Sequence, residues 1–344
     1  MTPDDFLRAI PKAELHCHFV GAIPAQVAWD LARRNRVELP VDGPEMLYHY
    51  DHFYDFIERY MLIATAVRTV EDFDEAVYAT LEEGYRHGNV LYREMFFNPT
   101  DHALGGATYA DMLKGLRRGI ARARTDFGVE CRLIPSINRQ HSPQAALDMV
   151  REVVAHPCDE VVGIGLDASE PAGPPETFVE AFRLAGEHGL KRAAHAAEDY
   201  SGVVDGPPAN ITTCLDLLGC DRIDHGYNMF ADPEVVRRLR RQQTPINVCL
   251  PGSSIDLRPM RSVAIRRMID AGLDVSLHSD DPAMHRVTPG ETYVIAAKIL
   301  WLDLDEMTSL DLAAIDASWL DDDGKARLRA SFTEQIAELR TQVA

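Results

Sequence analysis

Ala13-Glu14-Leu15-His16-Cys17-His18-Phe19 is the first of a series of short β-rich runs, and the series decides the fold. Similar runs return at residues 90–97, 131–136, 161–167, 190–196, 222–225, 245–249 and 273–280. Most are apolar on both faces, as parallel strands covered by helices must be. Helical periodicity fills the gaps at residues 107–125, 142–155, 175–188, 233–241 and 262–271, several of them with proline at or near the start. Eight strands alternating with helices predict an α/β fold, a (β/α)8 TIM barrel. Residues 48–83 form a long helical insertion after the first strand, rich in aromatics (Tyr48, Tyr50, Phe53, Tyr54, Phe56, Tyr60). It reads either as plain helix packing or as a lid over the barrel mouth. Extra helices follow the eighth strand. With no linker or repeat, residues 1–344 read as one barrel domain.

Composition narrows the function. The chain has 344 residues, 46% of them hydrophobic, which is ample for a large core and excludes disorder. Lys+Arg 35 against Asp+Glu 54 gives a net charge of −19. A nucleic-acid polymer needs basic patches to release its counterions, so such a partner is not expected. The six cysteines form no Cys-x-x-Cys pair, and no run approaches a membrane span. The acidic start Met1-Thr2-Pro3-Asp4-Asp5 has no leader character. A cytoplasmic protein acting on a small molecule, with no membrane partner, is the expectation. Oligomeric state has no signature in the sequence.

Functional side chains of a (β/α)8 barrel sit at the C-terminal ends of its strands. The first run ends in His16-Cys17-His18, the fifth in His195, the sixth in His225 and the eighth in His278-Ser279-Asp280-Asp281. On a strand, His-x-His puts both imidazoles on one face. His195 and Asp280 add a third nitrogen and a hard oxygen from across the barrel. That N3O set is the chemistry of a Zn²⁺ site, with other divalent first-row metals as alternatives. Glu198, three residues beyond His195, can face the metal centre without binding it. Asp280 and Asp281 point in different directions, so one can bind metal while the other faces substrate.

Four segments then carry a resemblance. Pro11-Lys12-Ala13-Glu14-Leu15-His16-Cys17-His18, His195-Ala196-Ala197-Glu198, Arg222-Ile223-Asp224-His225-Gly226 and Ser279-Asp280-Asp281-Pro282 stand in order from residue 11 to residue 282. In them the chain resembles the adenosine/adenine deaminase family of metal-dependent hydrolases, in the amidohydrolase superfamily. The resemblance implies hydrolysis of a 6-aminopurine (adenine, adenosine, or a 5′-modified or N6-substituted derivative) to the 6-oxopurine and ammonia, a step of purine and nucleotide metabolism. It implies one Zn²⁺ per subunit, held by His16, His18, His195 and Asp280, that lowers the pKa of water from about 15.7 toward about 7. His225 would orient that water, Glu198 would protonate N1, and Asp281 would hydrogen-bond N7.

Departures from the family pattern bear on the substrate pocket. Val20 stands where the family usually has a carboxylate near the ribose 5′-hydroxyl. Gly165-Leu166-Asp167-Ala168-Ser169-Glu170 looks more like the adenine-deaminase branch, which would bring Ser169 and Glu170 to the substrate, Glu170 at the N3/N9 edge. Ala197 replaces the usual glycine, and Cys249-Leu250-Pro251-Gly252-Ser253-Ser254 departs from the usual Cys-Pro-x-Ser-Asn. His278 replaces a frequent asparagine and reads either as support for the metal site or as a satisfied core histidine. The rival readings are another mononuclear metal-dependent hydrolase on the same scaffold and a non-catalytic purine-binding barrel. A two-metal centre bridged by a carboxylated lysine is disfavoured, because the fourth strand ends in Asp167-Ala168-Ser169.

Overall fold

A computed structural model describes residues 1–50, 52–198, 206–250 and 258–343. Residues 251–254 of the divergent Cys249–Ser254 segment lie outside it, as do the side chains of Phe53 and Tyr54 in the aromatic insertion. Eight strands pair in chain order: β1 (Lys12–His18), β2 (Val90–Phe97), β3 (Glu130–Asn138), β4 (Gly163–Asp167), β5 (Lys191–Ala196), β6 (Arg222–His225), β7 (Ile246–Cys249) and β8 (Val275–His278). Every neighbouring pair is parallel. The chain past β8 returns to β1, where Asp280 bridges Cys17 and the Asp280 carbonyl accepts from the His18 amide at 2.9 Å. This is the expected (β/α)8 barrel.

The insertion between β1 and β2 is not one helix. Helix Phe53–Ala66 stops at Val67, and Thr69 caps a second helix, Val70–Gly88, by accepting from the Asp72 amide while Asp72 accepts from the Thr69 amide. Only the first of these helices lies at the barrel mouth, where Tyr60 bonds Asn98 at the end of β2. Past Asp281 the chain forms helices Pro289–Leu300, Leu304–Ala317 and Asp322–Arg340. Among the described residues no helix is long and apolar enough to cross a membrane, and all six cysteines are free.

Two features of the barrel aim the functional side chains. Between the pairs Glu14–Arg93 and Cys17–Met95, β1 carries one residue more than β2. That β-bulge resets which side chains face inward just before His16. At four strand ends a non-glycine residue is left-handed: Ala168 (φ 67°), Ala197 (φ 54°), His225 (φ 71°) and Asp280 (φ 65°). Each such residue costs of order 1–3 kcal/mol and turns the chain sharply over the mouth.

The opposite end of the barrel is closed by a buried ion pair. Arg222 donates to Glu94 at 2.5 Å and its guanidinium lies 3.9 Å from the centre of the Trp319 ring. The second Glu94 oxygen accepts from Tyr92 at 2.8 Å and from the Trp319 amide at 2.5 Å. Both charges are fully buried. Removing one partner leaves the other stranded, so Arg222→Ala should lower unfolding free energy by about 3–5 kcal/mol. Denaturant titration checks this; a loss below about 1 kcal/mol would mean that the pair does not hold the barrel floor.

Candidate active site

The C-terminal ends of β1, β5 and β8 bring four donors to one point. His16 Nε2 lies 3.1 Å from Asp280 Oδ1, His18 Nε2 lies 3.2 Å from His195 Nε2, and His18 Nε2 lies 3.5 Å from Asp280 Oδ1. All four residues are buried and their ligand atoms lie within 4.8 Å of one another. Bonds of 2.0–2.2 Å in a tetrahedral site set neighbouring donors about 3.3–3.6 Å apart, close to the 3.1–3.5 Å of these three pairs. His225 and Cys249 reach the same centre from β6 and β7.

The electrostatics fit a cation. Burial holds His18 in its neutral, ligand form by pushing it down to about 4. Burial and the neighbouring His225 push His195 down as well. His16 goes the other way: burial would depress it, but Asp224 and Asp280 outweigh that and raise it to about 10. The two carboxylates thus hold one positive charge between them, a place that a divalent metal fills with more charge and better geometry.

Carboxylates also stand behind the ligands. Asp224 Oδ1 lies 3.0 Å from His16 Nδ1, and its other oxygen lies 3.9 Å from His195 Nδ1. Asp167 Oδ2 lies 3.8 Å from His18 Nδ1. Such partners orient the rings and raise their basicity. Asp224 is fixed by Asn247 Nδ2 at 2.8 Å, and Asn247 Oδ1 accepts from Ser276 at 3.2 Å. His278 Nδ1 accepts from the Leu15 amide at 3.1 Å, so its Nε2 carries the proton donated to Ser276 at 2.8 Å. His278 is therefore a satisfied core histidine that begins a hydrogen-bond chain ending at His16.

The expected catalytic side chains surround this centre. Glu198 is 3% exposed; Oε1 accepts from Arg261 at 2.5 Å and Oε2 faces His225 Nε2 at 3.6 Å. Tyr227 donates to the Cys249 carbonyl at 2.8 Å and accepts from the Cys249 amide at 3.0 Å. With its own proton engaged, Tyr227 can only accept from His225 Nδ1, 3.1 Å away. That leaves His225 Nε2 with a free lone pair toward Glu198. Asp281 is buried, with Oδ1 unpartnered among the described residues. Burial and the adjacent Asp280 raise its carboxyl well above the usual range, whereas His16 holds Asp280 well below it. Gly21 makes room for Asp281, since a Cβ at Gly21 would sit 1.7 Å from Asp281 Oδ1.

Three expected substrate contacts are placed differently from one another. Val20 is fully buried in the turn after β1, Val20–Ala22, and that turn lies against helix Phe53–Ala66. Ser169 is half-buried just beyond β4. Glu170, expected at a purine edge, is engaged elsewhere: it accepts from the Ala197 and Glu198 amides at 2.9 and 2.8 Å and from Asn210 at 2.8 Å. It holds the left-handed turn that presents Glu198. Sequence reading passed over Asp224, Tyr227 and Arg261. Asp224 precedes His225, and strand alternation sets adjacent residues on opposite faces, which the left-handed His225 undoes; Tyr227 lies beyond the strand end and the left-handed Gly226, where strand period no longer applies. Arg261 lies in a helix, Arg258–Asp270, with no spacing to link it to the strand ends.

Comparison with known proteins identifies the family. The adenosine deaminase family model matches residues 11–335. An adenine deaminase of Streptomyces coelicolor is 34% identical over 98% of both chains, and one of Hahella chejuensis is 33% identical over 96% of this chain and 98% of its own. The crystal structure of an adenine deaminase from Arthrobacter aurescens superposes with a TM-score of 0.87 at 32% identity, covering 96% of this chain and 100% of the other. A Zn-bound amidohydrolase from Burkholderia ambifaria superposes with a TM-score of 0.88 at 31% identity, covering 98% and 94%. The protein is a hydrolase with a metal centre, and it belongs to the adenosine deaminase family of aminohydrolases.

Proposed function

We propose that the enzyme replaces the C6 amino group of adenine with oxygen, consuming water and releasing hypoxanthine and ammonia. Convergence of Glu198, His225 and Asp281 on the four-donor centre carries this reading, and the adenine deaminases among its relatives support it. A divalent metal, zinc by the N3O donor set and by the Zn-bound relative, would be held by His16, His18, His195 and Asp280 and would activate water at neutral pH. The chain's own residues do the rest. His225 Nε2 takes a proton as the attacking water approaches C6. Glu198 delivers a proton to N1, so C6 becomes tetrahedral without stranding an anion on the ring. His225 then passes its proton to the amino nitrogen, which leaves as ammonia while the C6 hydroxyl proton returns to Glu198. N7 is a hydrogen-bond acceptor, so Asp281 contributes in its protonated form and fixes the ring's orientation. Adenosine and 5′- or N6-modified adenines present the same reacting edge.

An ammonia-release assay of the metal-loaded enzyme tests the reading: adenine should yield hypoxanthine and ammonia in equal amounts. No ammonia from adenine, adenosine and their 5′-substituted derivatives, and no 6-oxopurine from N6-substituted ones, which would release an amine instead, would overturn it. Glu198→Gln should keep its metal and lose about 10²–10⁴-fold in kcat, the worth of general acid catalysis. Turnover equal to the parent would remove Glu198 from the chemistry. Elemental analysis should find one metal per chain in the parent and a large loss in Asp280→Ala; unchanged stoichiometry would remove Asp280 from the ligand set.

A further inference from the structure

Arg261, on helix Arg258–Asp270, is 4% exposed and takes no part in the proton transfers above. Its Nη2 donates to Glu198 Oε1 at 2.5 Å, while the other Glu198 oxygen, Oε2, faces His225 Nε2 at 3.6 Å. Its Nη1 lies 3.6 Å from Asp280 Oδ2, and among the described residues Nε and Nη1 have no hydrogen-bond partner. The guanidinium also lies 4.9 Å from the centre of the Tyr227 ring, whose hydroxyl accepts from His225 Nδ1. One side chain therefore meets the acid, the ring that braces His225 and the second oxygen of Asp280.

Resting on the deamination reading, Glu198 must present a proton at N1, and a protonated carboxyl has two unlike oxygens. One is a hydroxyl that donates and is a poor acceptor; the other is a carbonyl that accepts. A guanidinium carries donors alone and keeps its charge, so its short charge-assisted bond selects the carbonyl. We propose that Arg261 is a positioning residue: by bonding Oε1 it assigns the acidic proton of Glu198 to Oε2, the oxygen on the reacting side. Asp280 Oδ2 stays beside the buried guanidinium as its counter-charge while Glu198 is neutral. The proton returning from the C6 hydroxyl is received at Oε2 as well, so the carboxyl need not turn between cycles. Without Arg261 the proton can settle on Oε1 and the carboxyl can rotate, and misplacing a reacting group costs up to about 10²-fold.

Substitutions that differ in accepting a proton test this on the metal-loaded enzyme with adenine. Lysine, like arginine, offers donors alone, whereas glutamine also offers a carbonyl that can draw the Glu198 proton to Oε1. Arg261→Gln should lose about tenfold to 10²-fold in kcat, with KM changed less than about threefold and one metal per chain retained. Arg261→Lys should keep at least about threefold more kcat than Arg261→Gln, because it preserves the donor-only contact. In Arg261→Ala, millimolar guanidinium chloride should raise kcat about threefold or more, while urea, similar in shape but uncharged and with a carbonyl acceptor, should not. Guanidinium should do nothing for Glu198→Gln. Turnover of Arg261→Gln equal to the parent would overturn the inference. So would equal losses in the lysine and glutamine variants with no rescue by guanidinium, which would make Arg261 a packing residue. Loss of metal in place of kcat would assign it to Asp280, and failure of every Arg261 variant to fold would assign it to the scaffold; either result also overturns the inference. A parent that deaminates no 6-aminopurine overturns the deamination reading itself, a result separate from all of these.

Discussion

The seam between β8 and β1 is the constraint on which the site depends. The His18 amide donates to the Asp280 carbonyl at 2.9 Å and the Asp280 amide donates to the His16 carbonyl at 3.2 Å. These two bonds complete the circuit of strands, and they set the Asp280 carboxylate among three imidazoles. Closing the barrel there buries a carboxylate and several ring nitrogens in a region of low dielectric, at a cost of several kcal/mol per ion if nothing compensates. A divalent cation compensates it. Folding, barrel closure and metal binding are therefore coupled at one place, and Asp224 and Asp167 extend the coupling to β6 and β4.

Adjacent carboxylates take opposite roles because their surroundings differ. Asp280 faces His16 and stays ionised, whereas Asp281 is pressed between Gly21 and the burial of the mouth and holds its proton more tightly. On the proposed reading one would bind a cation while the other donates a hydrogen bond, and Asp280 itself is left-handed. The chain's net charge of −19 lies largely on solvated helix faces and says little about this interior. Inside, Arg261 answers the carboxylates of Glu198 and Asp280.

Much of this was legible in the sequence because the barrel is regular. Expected strands at 90–97 and 222–225 coincide with β2 and β6, since short runs apolar on both faces have few alternatives. The convergence of His16 and His18 was legible because His-x-His depends only on strand period, and the β1 bulge falls just before the pair. Left-handed turns at non-glycine residues have no composition signal, so the joint use of Asp224 and His225 was hidden. Glu170 shows the same limit: its position beyond β4 was readable, but backbone amides 27 and 28 residues away claim its oxygens. Arg261 reads as an ordinary helix residue, because burial at the mouth depends on how helices cross the barrel.

Anomalous diffraction at the metal absorption edge, from crystals of the metal-loaded enzyme, examines the central claim most directly. The account predicts one strong peak per chain, about 2.0–2.2 Å from the Nε2 atoms of His16, His18 and His195 and from Asp280 Oδ1, with Glu198 facing it and not bound. Two peaks, or one peak outside this set of donors, would contradict it.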